Sequence, residues 1–121
     1  MTPPKAARKT DIRFRLRITK GCDIAVGPGK IDLLEAIAAT GSITAAAKQL
    51  GMSYRRAWLL ADTMNRCFRG PVVEAEAGGT RGGGTALTPL GTEVIRRYRQ
   101  AETLAAGAAA RELAALTHLL R

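Results

Sequence analysis

Between residues 31 and 64, hydrophobic positions recur at spacings of three and four, which is the period of an α-helix. Gly41 and Gly51 divide this stretch into three runs, and Ser42 and Ser53 stand where helix N-caps are expected. The pattern predicts three short helices joined by two tight turns. The predicted inward face of the first helix consists of Ile31, Leu34, Ile37 and Ala38, and that of the second consists of Ile43, Ala46, Ala47 and Leu50. The predicted inward face of the third helix consists of Tyr54, Ala57, Trp58, Ala61, Met64, Asn65 and Phe68.

A period of two precedes the helices and predicts a β-strand over residues 12–18. Its two faces consist of Ile12, Phe14, Leu16 and Ile18, predicted to be buried, and of Arg13, Arg15 and Arg17, predicted to be exposed. The arginines suit either a solvated strand edge or contact with phosphate. Lys20 and Gly21 then predict a turn into a second strand over residues 22–26.

After the third helix, two short β-type runs flank a glycine-rich loop and predict a hairpin. The loop lacks the Gly-Lys-Ser/Thr sequence and the following helix of a nucleotide-binding loop. A helix-turn-helix followed by a hairpin is the order of a winged helix, and Thr80 and Arg81 fall at the tip of its wing.

Thr88 and Pro89 predict the start of a long C-terminal helix, because a capping hydroxyl precedes a proline at the first helical position. An apolar stripe continues to Leu120 and needs a partner. A second copy of the chain is the expected partner, and packing on the first helix is the alternative.

Together these patterns predict a mainly α fold with a small β component. We expect a winged helix-turn-helix with an N-terminal strand and a long C-terminal dimerisation helix. Residues 1–10, rich in proline, alanine and basic side chains, are expected to form a disordered basic tail. Residues 11–100 are expected to form the DNA-binding domain, and residues 101–121 the C-terminal part of the dimerisation helix.

The charge balance indicates a polyanionic partner. The chain has 19 Lys and Arg against 10 Asp and Glu, a formal net charge of +9. Double-stranded DNA is the expected partner of so basic a small domain. The N-terminus lacks the apolar region of a signal peptide, and no apolar run is long enough to span a membrane. We therefore expect a cytoplasmic, nucleoid-associated protein without membrane contact.

Catalysis and metal binding are not expected. Cys22 and Cys67 are distant from each other and from His118, so they are predicted to be buried free thiols rather than ligands or a disulfide. The acidic residues are scattered, and no Ser/Cys–His constellation is present. The chain is predicted not to be an enzyme.

Candidate DNA contacts lie at the starts of the second and third helices and on the wing. Arg55 and Arg56 are the candidates for guanine edges, where a bidentate contact discriminates by about 1–3 kcal/mol. Leu59 suits either a thymine methyl group or an ordinary surface position. The full candidate set is Ser42, Thr44, Lys48, Ser53, Tyr54, Arg55, Arg56, Leu59, Thr80 and Arg81.

Two segments carry a resemblance to a known family: GKIDLLEAIAATGSITAAAKQLGMSYRRAWLLADTMN and VVEAEAGGTRGGGTALTPLG. The cues are Gly-Ser-Ile before the second helix, Gly-Met-Ser-Tyr-Arg-x-Ala-Trp at the third, and a Gly-Gly-x-x-Gly-Gly-Gly wing leading into Leu-Thr. The chain thereby resembles, over residues 13–100, the LysR-like winged-helix domain of ModE-type molybdate-responsive regulators of bacteria.

The resemblance implies a transcriptional regulator that binds a palindromic site as a homodimer, in molybdenum-related gene control. It places Ser53, Tyr54, Arg55 and Arg56 at the major groove, and Thr80 and Arg81 at the wing. The family's C-terminal Mop/TOBE-like domains bind molybdate or tungstate, and residues 1–121 contain no such segment. No cofactor is therefore expected, although molybdate or tungstate binding stays open.

Two alternatives remain at this stage. The chain could be a switch that binds an oxyanion at the dimer interface, or an antagonist module that forms heterodimers with a full-length regulator through its last helix.

Overall fold

The computed structural model describes residues 10–76 and 84–121, which form four helices and two small antiparallel sheets. The predicted mainly α winged helix-turn-helix is confirmed. The elements in chain order are β1 (Ile18–Lys20), β2 (Asp23–Val26), α1 (Pro28–Thr40), α2 (Ile43–Gln49), α3 (Tyr54–Cys67), β3 (Val73–Ala75), β4 (Thr85–Leu87) and α4 (Pro89–Thr117).

Helices α1, α2 and α3 are separated where the sequence predicts, although α1 begins three residues before the predicted stretch 31–64 and α3 ends three residues after it. The Ser42 hydroxyl accepts a hydrogen bond from the Ala45 amide at 3.1 Å, which caps α2. Between the helices the chain reverses at Gly41 and Gly51, whose φ angles of 71° and 70° lie in the left-handed region that glycine adopts without strain. The predicted turn chemistry is confirmed at both positions.

The core lies where these three helices meet β2 and the start of the wing. Its largest fully buried side chains are Ile31, Leu33, Leu34, Ile37, Met64 and Val72. Alanines 46, 57 and 61 are also buried, and their small side chains let α3 approach α1 and α2 closely.

Three of the predicted inward-facing helix residues, Ala38, Tyr54 and Trp58, lie at the surface. Ala38 is exposed, and Leu33 and Ala36 are buried instead, because α1 is covered on more than one side. Trp58 is 47% exposed. The residues of α3 that are buried in the core are Ala57, Ala61 and Met64, and Trp58 lies outside that set. The prediction that Trp58 is a core residue was wrong.

The N-terminal strand is shorter and later than predicted. Strand β1 begins only at Ile18 and pairs with β2 across a turn at Gly21, whose φ is 61°. Residues 11–17 form no strand, and Ile12 and Phe14 are exposed rather than buried. This segment runs along α4 instead, where the Tyr98 hydroxyl donates a hydrogen bond of 2.8 Å to the Leu16 carbonyl.

The wing hairpin consists of β3 and β4 in antiparallel register, with Val73 opposite Leu87. This confirms the predicted hairpin. Its loop, residues 77–83, lies outside the described residues, and so do residues 1–9. The predictions for Thr80 and Arg81, and most of the predicted basic tail, therefore fall outside the described part of the chain.

Helix α4 is 29 residues long, about 43 Å at 1.5 Å per residue. Arg99 secures it to α1 by ion pairs with Asp32 and Glu35. Beyond Ala101 most side chains are exposed, including Leu104, Leu116, Leu119 and Leu120 at 60–80%.

Both cysteines are free thiols, as predicted, but neither is fully buried, since Cys22 is exposed and Cys67 is half-buried. The turn between β1 and β2 places it on the surface. In the described part of the chain, no helix has the length and apolarity that crossing a bilayer requires.

Candidate nucleic-acid interface

The N-terminus of α3 faces solvent with its polar groups arranged around Ser53. The Ser53 hydroxyl accepts the Arg56 amide at 3.0 Å and so caps the helix. The amides of Tyr54 and Arg55 have no acceptor among the described residues. Amides of this kind at a helix N-terminus favour an anion such as phosphate.

Most of the predicted candidates on α2 and α3 lie at the surface of the molecule. Seven of them are exposed: Thr44, Lys48, Ser53, Tyr54, Arg55, Arg56 and Leu59. Ser42 is half-buried, because its hydroxyl caps α2. The exposed leucine at position 59 lies one turn after Arg55, so both belong to the same outward strip of α3.

Arg55 and Arg56 diverge, although they are adjacent in sequence. Successive helical residues are turned by about 100°. Arg55 shares the outward strip with Leu59, whereas Arg56 lines a cleft at the start of α1 together with Lys30. Burial lowers the pKa of Lys30 below its ordinary value, and the nearby charge of Arg56 acts in the same direction.

Aromatic side chains occupy the opposite flank of α3. Tyr54 and Trp58, both about half exposed, line a cavity of about 360 Å³ between α3 and the wing hairpin. The sequence analysis placed Trp58 in the core and named Tyr54 both on the inward face of α3 and among the DNA contacts, so it did not predict that the two side chains share this surface. The neighbouring Ala57 and Ala61 were the available signal, since a helix packed through alanines leaves bulky residues at its margins.

Asn65 fixes the wing to α3, and its role was not foreseen. Its side-chain oxygen accepts hydrogen bonds from the Val72 and Val73 amides at 2.8 and 3.2 Å, and its side-chain nitrogen donates to the Val73 carbonyl at 3.1 Å. All three bonds join α3 to the first strand of the wing, so Asn65 sets the position of the wing relative to the helix.

Cationic side chains divide into two groups by their partners. On α4, Arg96 and Arg97 pair with Glu93, and Arg99 pairs with carboxylates of both α1 and α4. On α2 and α3, by contrast, Lys48, Arg55 and Arg56 make no ion pair with any residue in the ranges 10–76 and 84–121. The first turn of α3 therefore carries positive charge that is available to an external anion.

The fold is that of the winged helix-turn-helix domains of LysR-type regulators. The DNA-binding domain of CbnR, solved in complex with DNA, superposes with a TM-score of 0.57 at 23% sequence identity, covering 73% of this chain and 95% of that one. Full-length CbnR bound to its target DNA gives a TM-score of 0.54 over 71% of this chain and 28% of that one, again at 23% identity.

By sequence the chain is a relative of the ModE-type regulators, which confirms the resemblance carried by its motifs. It is 43% identical over 95 residues to the molybdenum transport protein ModE of Azotobacter vinelandii, covering 77% of this chain and 35% of that protein. It is 42% identical over 71 residues to the DNA-binding transcriptional dual regulator ModE of Escherichia coli K12, covering 59% of this chain and 27% of that protein.

A third relative is the molybdenum-pterin-binding protein MopB of Rhodobacter capsulatus, 47% identical over 73 residues, or 60% of this chain and 27% of that protein. The chain thus spans about a third of the length of these relatives or less. No protein-family model matches it. The three relatives are named as a transport protein, a pterin-binding protein and a transcriptional regulator, and none of these names is that of an enzyme, in agreement with the prediction that the chain is not one.

Proposed function

We propose that this protein binds double-stranded DNA in a sequence-specific manner and regulates transcription, as a homodimer on a palindromic site. We further propose that it acts in the cytoplasm, at the nucleoid, on genes connected with molybdenum. The observation that carries the proposal is the capped, open N-terminus of α3, surrounded by cations that have no acidic partner in the described chain. The names of the ModE relatives support the molybdenum context.

In this proposal α3 enters the major groove, and the candidate residues on α2 and α3 contact different parts of the DNA. Ser42, Ser53 and Lys48 contact phosphate, because hydroxyls, helix-terminal amides and ammonium groups fix the position of a protein on the duplex. Arg55 reads a base edge from the outward strip of α3, with Leu59 beside it. Thr80 and Arg81 of the wing contact the neighbouring backbone.

The homodimer is supported by exposed apolar side chains on α4. Leu104 and Leu116 are both more than half exposed. Leu119 and Leu120 continue the apolar surface past the end of the helix. A second copy would cover these side chains and bring two α3 helices to one duplex, as a palindrome requires.

Selection from random-sequence duplexes tests the DNA proposal directly. We expect an enriched palindrome whose half-sites are about 34 Å apart, one turn of DNA. Arg55→Ala should lower the affinity ratio between the selected site and random DNA by about 5- to 150-fold, the equivalent of 1–3 kcal/mol. Arg111→Ala, an exposed arginine on α4, is the matched control. A selection that enriches no sequence would refute sequence-specific binding.

Light scattering tests the dimer. The double variant Leu104→Gln, Leu116→Gln replaces exposed apolar side chains with polar ones of similar size, so it should give monomers without unfolding the winged helix. Ala110→Gln, at an exposed position of the same helix, should stay dimeric. A wild-type protein that is monomeric at high concentration would contradict this part of the proposal.

A further inference from the structure

A cationic cleft lies beside α3 on the side away from the wing. Arg15, Arg17, Lys30 and Arg56 line it, and its volume is about 240 Å³. The four side chains come from three separate segments: the chain before β1, the first turn of α1, and the first turn of α3. We call this feature the α1 cleft.

The cations of the α1 cleft have no acidic partner. Within residues 10–76 and 84–121, none of the four forms an ion pair. Asp23 is close enough to Lys30 to affect its pKa, but its carboxylate lies 3.9 Å from Arg66, with which it forms an ion pair. The acidic residues of α1, Asp32 and Glu35, are held by Arg99. Four like charges gathered without a carboxylate favour an external polyanion.

The two flanks of α3 differ in charge. On the wing flank, the residues that line the cavity between α3 and the hairpin include two acidic ones, Glu74 and Asp62, of which Asp62 is paired with Arg66. On the other flank, Arg56 joins the outward surface of α3 to the α1 cleft. A duplex whose major groove holds α3 therefore meets a positive surface on the α1 side among the described residues.

We propose that the α1 cleft binds the DNA sugar-phosphate backbone flanking the groove that α3 enters. This inference rests on the proposed DNA binding and extends it by a second contact surface. Arg56 then contacts phosphate, together with Arg15, Arg17 and Lys30, and Arg55 alone of the arginine pair reads a base. Backbone contacts carry no sequence information, so the cleft contributes affinity and register rather than specificity.

Gly29 provides a sharp test, because it lies in the wall of the cleft and a Cβ built on it meets no atom within 4 Å. Gly29→Asp places a negative charge in the cleft, while an acidic residue in the first turn of α1 is favourable for the helix. Gly29→Asn is the matched neutral control. We expect Gly29→Asp to bind duplex DNA about tenfold or more weakly than Gly29→Asn, with an equal or higher unfolding temperature.

The salt dependence of binding gives a second readout. Removing one phosphate contact lowers the slope of log K against log salt by about 0.9. Arg17→Gln and Arg56→Gln should each reduce the slope by about this amount for every phosphate that the arginine binds in the wild-type complex. Both variants should weaken binding to the selected site and to random duplex by the same factor. Arg111→Gln, on α4, should leave the slope unchanged.

Each outcome decides a separate question. If the wild-type protein binds no duplex, the proposed function and this inference both fail. If it binds duplex but Gly29→Asp and Gly29→Asn bind equally, or the slopes do not change, the inference alone fails. A loss in Arg56→Gln confined to the selected site would assign Arg56 to base reading. Tight binding of inorganic phosphate or molybdate that Gly29→Asp abolishes would make the cleft a small-anion site, which also overturns the assignment to DNA.

Discussion

The backbone of Gly91 in α4 lies directly against the carbonyl oxygen of Val72, at the entrance to the wing. A Cβ built on Gly91 would come within 2.1 Å of that oxygen. The Thr88 hydroxyl holds this contact in place, because it accepts the Gly91 amide at 3.0 Å and donates to the Pro71 carbonyl at 2.6 Å. A residue without a side chain is therefore required where α4 crosses the start of β3.

Gly91→Ala should destabilise the protein by about 1–3 kcal/mol, the usual cost of forcing an extra carbon into a packed site. This loss outweighs the gain of up to about 1 kcal/mol that alanine gives over glycine in a helix. Urea unfolding measures it. Gly107→Ala, on the same helix with nothing within 4 Å of its Cβ, is the control and should be neutral or stabilising. An equally stable Gly91→Ala would disprove the contact.

Replacing Asn65 should loosen the wing. Asn65→Leu removes three hydrogen bonds and leaves the amides of the buried residues Val72 and Val73 without the acceptor that Asn65 provides. We expect a loss of about 1–3 kcal/mol in the free energy of unfolding, and faster amide hydrogen exchange in β3 than in α2. Thr63→Ala, which removes a local bond to the Leu59 carbonyl, should change stability by less than about 0.5 kcal/mol. Unchanged exchange in β3 would show that Asn65 does not hold the hairpin.

The exposure of Trp58 can be measured in solution. Removing a core tryptophan lowers the free energy of unfolding by about 3–5 kcal/mol. Because the indole of Trp58 is 47% exposed, Trp58→Ala should lower it by less than that. Trp58 is the only tryptophan of the chain, so its fluorescence reports on this surface alone. We expect emission typical of a partly hydrated indole, shifted to shorter wavelength when duplex DNA is added. Emission that is already at short wavelength in the free protein would place Trp58 in the core after all.

The ion pairs of α4 predict a change in acid stability. Hydrogen bonds from Arg96 and Arg97 lower the pKa of Glu93 from 4.5 to about 2. The unfolded chain takes up this proton near pH 4.5 and the folded chain only near pH 2, so the contribution of Glu93 to stability is complete above pH 4.5 and is lost between those values. Glu93→Gln should therefore flatten the fall in unfolding free energy across this window, as measured by urea titration at several pH values.

Glu112→Gln is the control for this effect, because Glu112 is exposed and makes no ion pair within the described residues. Its acid profile should follow that of the wild type. A wild-type profile in Glu93→Gln would show that the arginines do not hold the carboxylate in solution.

The features predicted correctly from the sequence are those fixed by neighbouring residues. Ser42, Ser53 and Thr88 each cap a helix through an amide three residues further on, and Gly51 turns the chain by its own φ angle. Such local chemistry can be read from a few residues at a time. For this reason the helix boundaries and the wing hairpin followed from the sequence.

The errors occurred where distant segments decide the outcome. Residues 12–17 alternate as a strand would, yet the Leu16 carbonyl is bonded to Tyr98, 82 residues away, and the segment has no partner strand among the described residues. The α1 cleft also depends on segments that are distant in sequence, because no local pattern indicates that Arg17, Lys30 and Arg56 meet. Helical periodicity predicted which side of α3 is buried but not how far around the helix the buried surface extends, and Trp58 lies just outside that surface.

The length of α4 has a geometric consequence. Its first turns are fastened to the winged helix by Tyr98 and Arg99, and the remainder projects as one uninterrupted helix. In a dimer joined through the projecting part, each residue between Arg99 and the crossing point moves each α3 helix about 1.5 Å farther from that point and rotates it by about 100°. The length of α4 then sets both the distance and the angle between the two α3 helices. A single inserted residue would misalign the pair. About seven inserted residues, close to two full turns, would restore the angle and select half-sites farther apart.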